Sequence, residues 1–183
     1  MENKTVNMDN PVIRALLERR SCRRFDPERM PTDEEINTLL ECGKYAANGC
    51  GFQNTKMLVV RDRAVRDQLC RMNAEIWGKP AIDPFYGAPM IIIVLAKAGW
   101  RNAQYDGALV MGNLMLAAHA QGIDSIWIHR AKEEFETEEG REILRRAGID
   151  PDEWEGIGHC AIGFRNHSIP APRERKPDFV HYL

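Results

Sequence analysis

Residues 102–122 read NAQYDGALVMGNLMLAAHAQG. The spacing predicts a helix over 102–121, stopped by Gly122. From Ala108 to Ala118 there is almost no polar face: Ala108, Leu109, Val110, Met111, Leu114, Met115, Leu116, Ala117 and Ala118 ring the axis. A helix apolar nearly all round is buried, either in a core or against a second subunit.

The neighbouring stretches supply a sheet for it to pack on. Met90 to Leu95 is a continuous apolar run of strand length. Ser125 to Ile128 reads as a strand, as do Met57 to Val60 and Gly158 to Gly163. A first helix starts at Pro11, capped by Asp9 or Asn10, and runs to about Arg20. A second starts at the N-cap Thr32, with Glu35 as its capping-box partner, and carries an apolar face through Ile36, Leu39, Leu40, Gly43 and Ala47. Arg63 to Ile76 and Thr137 to Ala147 are further helices. Helices and strands mix without strict βαβ alternation, which favours an α+β fold: one sheet flanked by helices. Residues 1–9 form a loose lead-in, residues 10–183 one domain, and residues 169–183 a Pro-rich tail with no core of its own.

Composition narrows the function. The chain is 44% hydrophobic and 28% charged, which suits a folded globular protein rather than a disordered one. A net charge of -2 gives no global reason to expect a nucleic-acid partner. The longest apolar run, Ala88 to Ala98, is broken by Lys97 and too short to span a bilayer. The N-terminus lacks the apolar core of a signal peptide, so a cytoplasmic location is expected. Cys22, Cys42, Cys50, Cys70 and Cys160 are odd in number and scattered; small buried hydrophobes are expected, not a disulfide framework. No metal-ligand spacing stands out, and no GxGxxG, P-loop, GxSxG or HExxH motif appears. His119 reads as a core histidine.

Three segments could carry chemistry. Arg19-Arg20-Ser21-Cys22-Arg23-Arg24-Phe25 gathers guanidinium forks suited to a phosphate around one hydroxyl, just where a helix ends. The same arginines are also favourable at a helix C-terminus through the macrodipole. Arg173, Arg175 and Lys176 form a second basic cluster in the tail, which reads equally as a solvated tail. The loop Ala46 to Asn54 combines glycines, which let backbone approach a ligand, with the amides of Asn48, Gln53 and Asn54; a plain polar connector would look the same.

In this order the segments resemble the nitroreductase family of flavoenzymes. The residues that carry the likeness are Arg19 to Phe25, Ala46 to Gln53, Tyr86-Gly87-Ala88-Pro89 with the strand after it, Gly112 to Gly122 followed by Trp127-Ile128, and Ala161 to Phe164 followed by Pro172 to Pro177. The likeness covers about residues 10–183. It implies a central, mostly antiparallel sheet flanked by helices, and an interlaced homodimer whose tail wraps the partner. It implies FMN as cofactor and NADH or NADPH as co-substrate, with reducing equivalents passed by a ping-pong mechanism to a small nitro- or quinone-type acceptor. By position, Arg19, Arg20, Ser21 and Arg23 would hold the FMN phosphate, ribityl chain and pyrimidine edge. Asn48, Gly49 and Gln53 would meet the ring from the partner subunit, the backbone of Ile128 and His129 would lie near flavin N5 and O4, and Arg173 and Arg175 would close on the phosphate. Phe52, Phe85, Tyr86 and Trp127 are candidate walls for an acceptor. No general acid or base is assigned. Asn48-Gly49, Gly51, Asn54-Thr55 and His129 depart from residues frequent in the family. The alternatives are a specialised relative that dehalogenates an aromatic or cleaves or sequesters flavin, and a non-catalytic module that binds an anionic ligand.

Overall fold

A computed structural model describes residues 8–183; of the expected lead-in, only Met8 and Asp9 lie among the described residues, in a turn. The described residues form six helices and four strands in the order α1 (Pro11–Glu18), α2 (Asp33–Lys44), β1 (Thr55–Val60), α3 (Arg63–Ile76), β2 (Met90–Lys97), α4 (Ala103–Ala120), β3 (Asp124–Ile128), α5 (Ala131–Glu136), α6 (Glu138–Arg146) and β4 (Trp154–Gly163). The strands make one sheet of order β1-β2-β4-β3, antiparallel at every pairing.

The alternation of a strand divides the helices between the two faces. Ile91, Ile93 and Leu95 point to a core shared with α3, α5 and α6 through Leu69, Met72, Phe135, Ile143 and Leu144. Met90, Ile92 and Val94 point to the other core, with Ile36 and Leu39 of α2 and Val110, Met111 and Leu114 of α4. Because β2 is covered on both faces, its sequence is continuously apolar.

The caps explain where helices begin. Asn10, not Asp9, caps α1, its side chain accepting from the Val12 amide at 2.9 Å. Thr32 and Glu35 close the expected capping box on α2. Other boundaries differ from the sequence reading. Helix α2 stops at Lys44, so Ala47 lies beyond it. Strand β4 starts at Trp154 instead of Gly158, paired to the extended end of β2 across a bulge at Val94/Leu95. The short helix α5 was not expected at all. Its entry residue, Arg130, sits at φ 77 and supplies no side-chain cap, so the usual helix-start signal is missing.

Helix α4 is buried along one stripe only. Ala103, Asp106, Gly107, Val110, Met111, Leu114 and Ala118 face the fold. Tyr105 and Leu109 remain 71% and 48% exposed on the other side, and α1 buries no residue completely, leaving Val12, Leu16 and Leu17 open. An apolar cleft between the two helices is lined by Val12, Ala15, Leu116 and Ala117. The tail from residue 168 onward is exposed and has no regular structure. Three expectations need correction: Cys50 is exposed and Cys42 and Cys70 are half-buried, so only Cys22 and Cys160 behave as core thiols. His119 is half-buried at the end of α4 rather than in the core. Phe85 is fully buried and unavailable as an acceptor wall.

Candidate functional site

Helix α1 gives way to an extended chain at Arg19, and that chain runs along the free edge of β3. Ser21 bridges Ser125 in parallel fashion, with the Cys22 amide donating to the Ser125 carbonyl at 3.0 Å. This docking presses the first two arginines into the surface. Arg20 uses Nη1 to cap the end of the helix, donating to the Leu17 and Arg19 carbonyls at 2.7 and 2.8 Å. Its Nε, and Nη1 of Arg19, are buried yet have no hydrogen-bond partner among the described residues. Burial, and then the charge of Arg20, lower the pKa of the Arg19 guanidinium, a cost that an anion held there would offset. Arg23 and Arg24 are exposed just beyond. The chain leaves the sheet beside them: Phe25 bridges Arg165, and the Asn166 amide donates to the Arg24 carbonyl. The tail that holds Arg173 and Arg175 therefore departs next to the first basic cluster, although both side chains are exposed.

Further along the same edge, strand alternation turns the main-chain groups of Ser125 and Trp127 outward, and His129 follows at the end of the strand. His129 is exposed and its ring stacks on Trp127 with centroids 6.0 Å apart. Together with Arg130, and with Tyr105 and Ala108 of α4, these rings line an open cleft of about 460 Å³. The Arg19–Arg23 segment thus lies along the free edge of β3, and the strand leads to Ile128 and His129 at its end.

The loop with Asn48, Gly49 and Gln53 lies elsewhere. It enters β1 at Thr55, which pairs with Ala96, whereas Ser125 pairs with Ile162 and Ile162 with Met90. The loop and the arginines therefore sit at opposite ends of the sheet. The loop is held internally. The Gly49 amide donates to Asp106 at 2.8 Å, the Gln53 amide donates to Asn48 at 2.9 Å, and the Asn48 amide group donates to the Ala46 carbonyl. Phe52 leans on Trp100 at 5.5 Å, and the Trp100 indole also donates to Asp106 at 2.8 Å. Cys50 and Gln53 sit at φ 57 and 54, a conformation that such firm anchoring makes tolerable.

With this geometry in place, comparison with known proteins is specific. The family model described as Nitroreductase family matches residues 16–164. The chain belongs to the nitroreductase family. A curated relative from Staphylococcus aureus (strain USA300), named "Putative NAD(P)H nitroreductase", is 32% identical over 93% of this chain and 93% of its own length. A solved nitroreductase with bound FMN from Bacteroides fragilis NCTC 9343 superposes with a TM-score of 0.86 at 24% identity, over 95% of this chain and 99% of that one. Another with bound FMN, from Desulfitobacterium hafniense DCB-2, gives a TM-score of 0.83 at 24% identity, over 95% and 98% of the two chains.

In this chain several groups that shape the candidate site were not singled out from sequence. Asp106 is one: it is 3% exposed and orders the loop from α4. A carboxylate on an otherwise apolar helix was the available signal. The buried trio Asn73, Glu134 and His159 is another. Each member was hidden by its context, since Glu134 lies among the acidic residues of an unexpected helix and His159 inside a strand.

Proposed function

We propose that this protein is an FMN-dependent oxidoreductase that passes reducing equivalents from NADH or NADPH to a small, aromatic nitro- or quinone-type acceptor, and that it works as a homodimer. One observation carries the reading: two buried guanidinium donors, Arg19 Nη1 and Arg20 Nε, stand without partners beside Ser21 on the open edge of β3. Buried donors normally find an acceptor. Two arginine forks and a hydroxyl suit a phosphate and the polyol chain attached to it. The NAD(P)H in the relative's name supports the choice of reductant.

Arg19, Arg20 and Ser21 would hold the phosphate and ribityl chain, with Arg23 toward the pyrimidine edge. Arg173 and Arg175 would close on the phosphate, since their tail departs beside Arg24. The backbone at Ile128 and His129 would meet the N5 and O4 edge of the ring. Asn48, Gly49 and Gln53 of the partner subunit would complete the ring pocket, because in one chain they lie at the far end of the sheet. The uncovered stripe of α4 and the open apolar face of α1 support a second copy as the cover, and residues 169–183 would wrap it. Bound FMN supplies the two-electron chemistry; the chain binds it, orients it and limits access of water.

The visible spectrum of the purified protein, before and after anaerobic NADH or NADPH, tests this. A flavin spectrum that bleaches with either nucleotide is expected. Flavin that bleaches only with another reductant points to the specialised relatives instead. A colourless protein that takes up no added FMN overturns the reading in favour of an anion-binding module.

A further inference from the structure

Behind the β3–α5 turn, on the face away from the cleft, lies a closed polar cluster in an otherwise apolar core. Asn73 of α3, Glu134 of α5 and His159 of β4 are each 0% exposed. The Asn73 amide nitrogen donates to the His129 carbonyl at 2.8 Å and to Glu134 Oε1. Its oxygen accepts from Arg130 Nε at 2.9 Å. His159 Nε2 stands 3.0 Å from Glu134 Oε2, off the line of an ideal hydrogen bond but sealed from water, with Phe85 and Phe135 against the ring. The amide of Asn73 thus grips two consecutive residues of the turn, one by its carbonyl and one by its side chain. Glu134 in turn fixes the amide, and His159 backs Glu134 from the far side.

What is gripped is unusual. Arg130 sits at φ 77, a region that side chains rarely adopt and that persists only where surroundings over-determine it. Its guanidinium is also pinned over Trp77 at 4.8 Å, and its carbonyl accepts from the Glu134 amide at 2.9 Å. Hydrogen bonds in a buried, low-dielectric setting rigidify what they hold, and here the Asn73 amide makes the cluster's side-chain hydrogen bonds, to the His129 carbonyl, Glu134 and Arg130. Here the held element is the turn whose residues His129 and Arg130 line the cleft.

We propose that Asn73, Glu134 and His159 are positioning residues: they clamp the His129–Arg130 turn from behind so that its main chain presents a fixed edge to the flavin. The inference rests on the reading of the site given above, in which that backbone meets the ring. A small displacement of a positioning element costs catalysis far more than it costs binding.

The test compares Asn73→Ala with Leu69→Ala, a cavity one helical turn away in α3 that leaves the cluster untouched. Three quantities are read on the full chain: amide hydrogen exchange at residues 129–131 without FMN, the midpoint potential of bound FMN, and the rate of its anaerobic reduction by NADPH or NADH. Asn73→Ala is expected to speed exchange at the turn, shift the potential, and slow reduction by about tenfold or more while FMN stays bound. Leu69→Ala lowers the melting temperature but leaves the other three unchanged. If Asn73→Ala does not fold, Glu134→Gln, which keeps the shape of the side chain, is read in the same way. Loss of stability without any change at the turn or the flavin, or identical behaviour of the two α3 variants, overturns the proposal. Failure of the wild-type chain to take up FMN overturns the underlying reading instead, and the exchange data then report on the clamp alone.

Discussion

The two ends of the sheet are built on opposite terms. At the β3 end, Arg19 Nη1 and Arg20 Nε are sunk into the surface as donors without a partner among the described residues. At the β1 end, the Asn48–Gln53 loop satisfies itself through Asp106, Asn48 and Trp100 before any ligand arrives. One end carries an electrostatic cost that a ligand removes; the other is already organised and has little left to gain. The lesson concerns where stability and affinity reside: on the proposed reading, changes to the loop's anchors act first on the fold, and changes at the arginine end act on what the fold would hold.

That contrast can be broken in three places. The largest effect is expected at Asp106→Ala, which strands the half-buried Gly49 amide and Trp100 indole. Two lost charge-assisted bonds cost about 3 kcal/mol and lower Tm by about 6–12 °C. A thermal melt checks it, and an unchanged Tm would show that the loop holds its shape without α4. Next comes Arg19→Ala. It removes a half-buried cation that lacks a full set of partners, so the ligand-free protein should melt at or slightly above the wild-type temperature. FMN binding, followed by fluorescence titration, should weaken by about 2 kcal/mol, roughly thirtyfold. A drop in Tm of the ligand-free protein would show instead that the guanidinium is structural. The smallest effect is chemical. Burial pushes the Cys160 thiol up to about 12, and burial with the nearby Asp83 charge does the same for Cys70. Both thiols therefore stay protonated at pH 8, whereas Cys50 is exposed on the loop. Mass spectrometry after brief alkylation at pH 8 should find Cys50 modified first and Cys70 and Cys160 untouched. Rapid labelling of Cys70 or Cys160 would reveal that their surroundings open readily.

The same contrast bears on what sequence could reveal. Local rules carried α3, the capping box of α2 and the continuous apolar run of β2, because each is written in adjacent residues. The first turns of β4 escaped notice because Trp154–Ile157 is paired only through the length of β2 and a bulge. Helix α5 escaped because its start is set by a left-handed Arg130 and its buried Glu134 is paid back by distant Asn73 and His159. In the site, the arginine–serine segment was readable as a donor cluster, but its docking on β3 depends on a strand about a hundred residues away. Asp106 was hidden because an acidic residue in an apolar helix has meaning only when the loop it holds is seen.

The distance between the two ends has a consequence for inheritance of defects. In the proposed dimer each flavin pocket draws its arginines from one chain and its loop from the other. A chain with a disabled arginine end and a chain with a disabled loop end would each be inactive alone. Mixed together, they would form some pairs in which one pocket receives both faults and the other receives none. Random pairing then restores about a quarter of all pockets, the ceiling set by symmetry. Two broken copies could in this way complement each other within a cell.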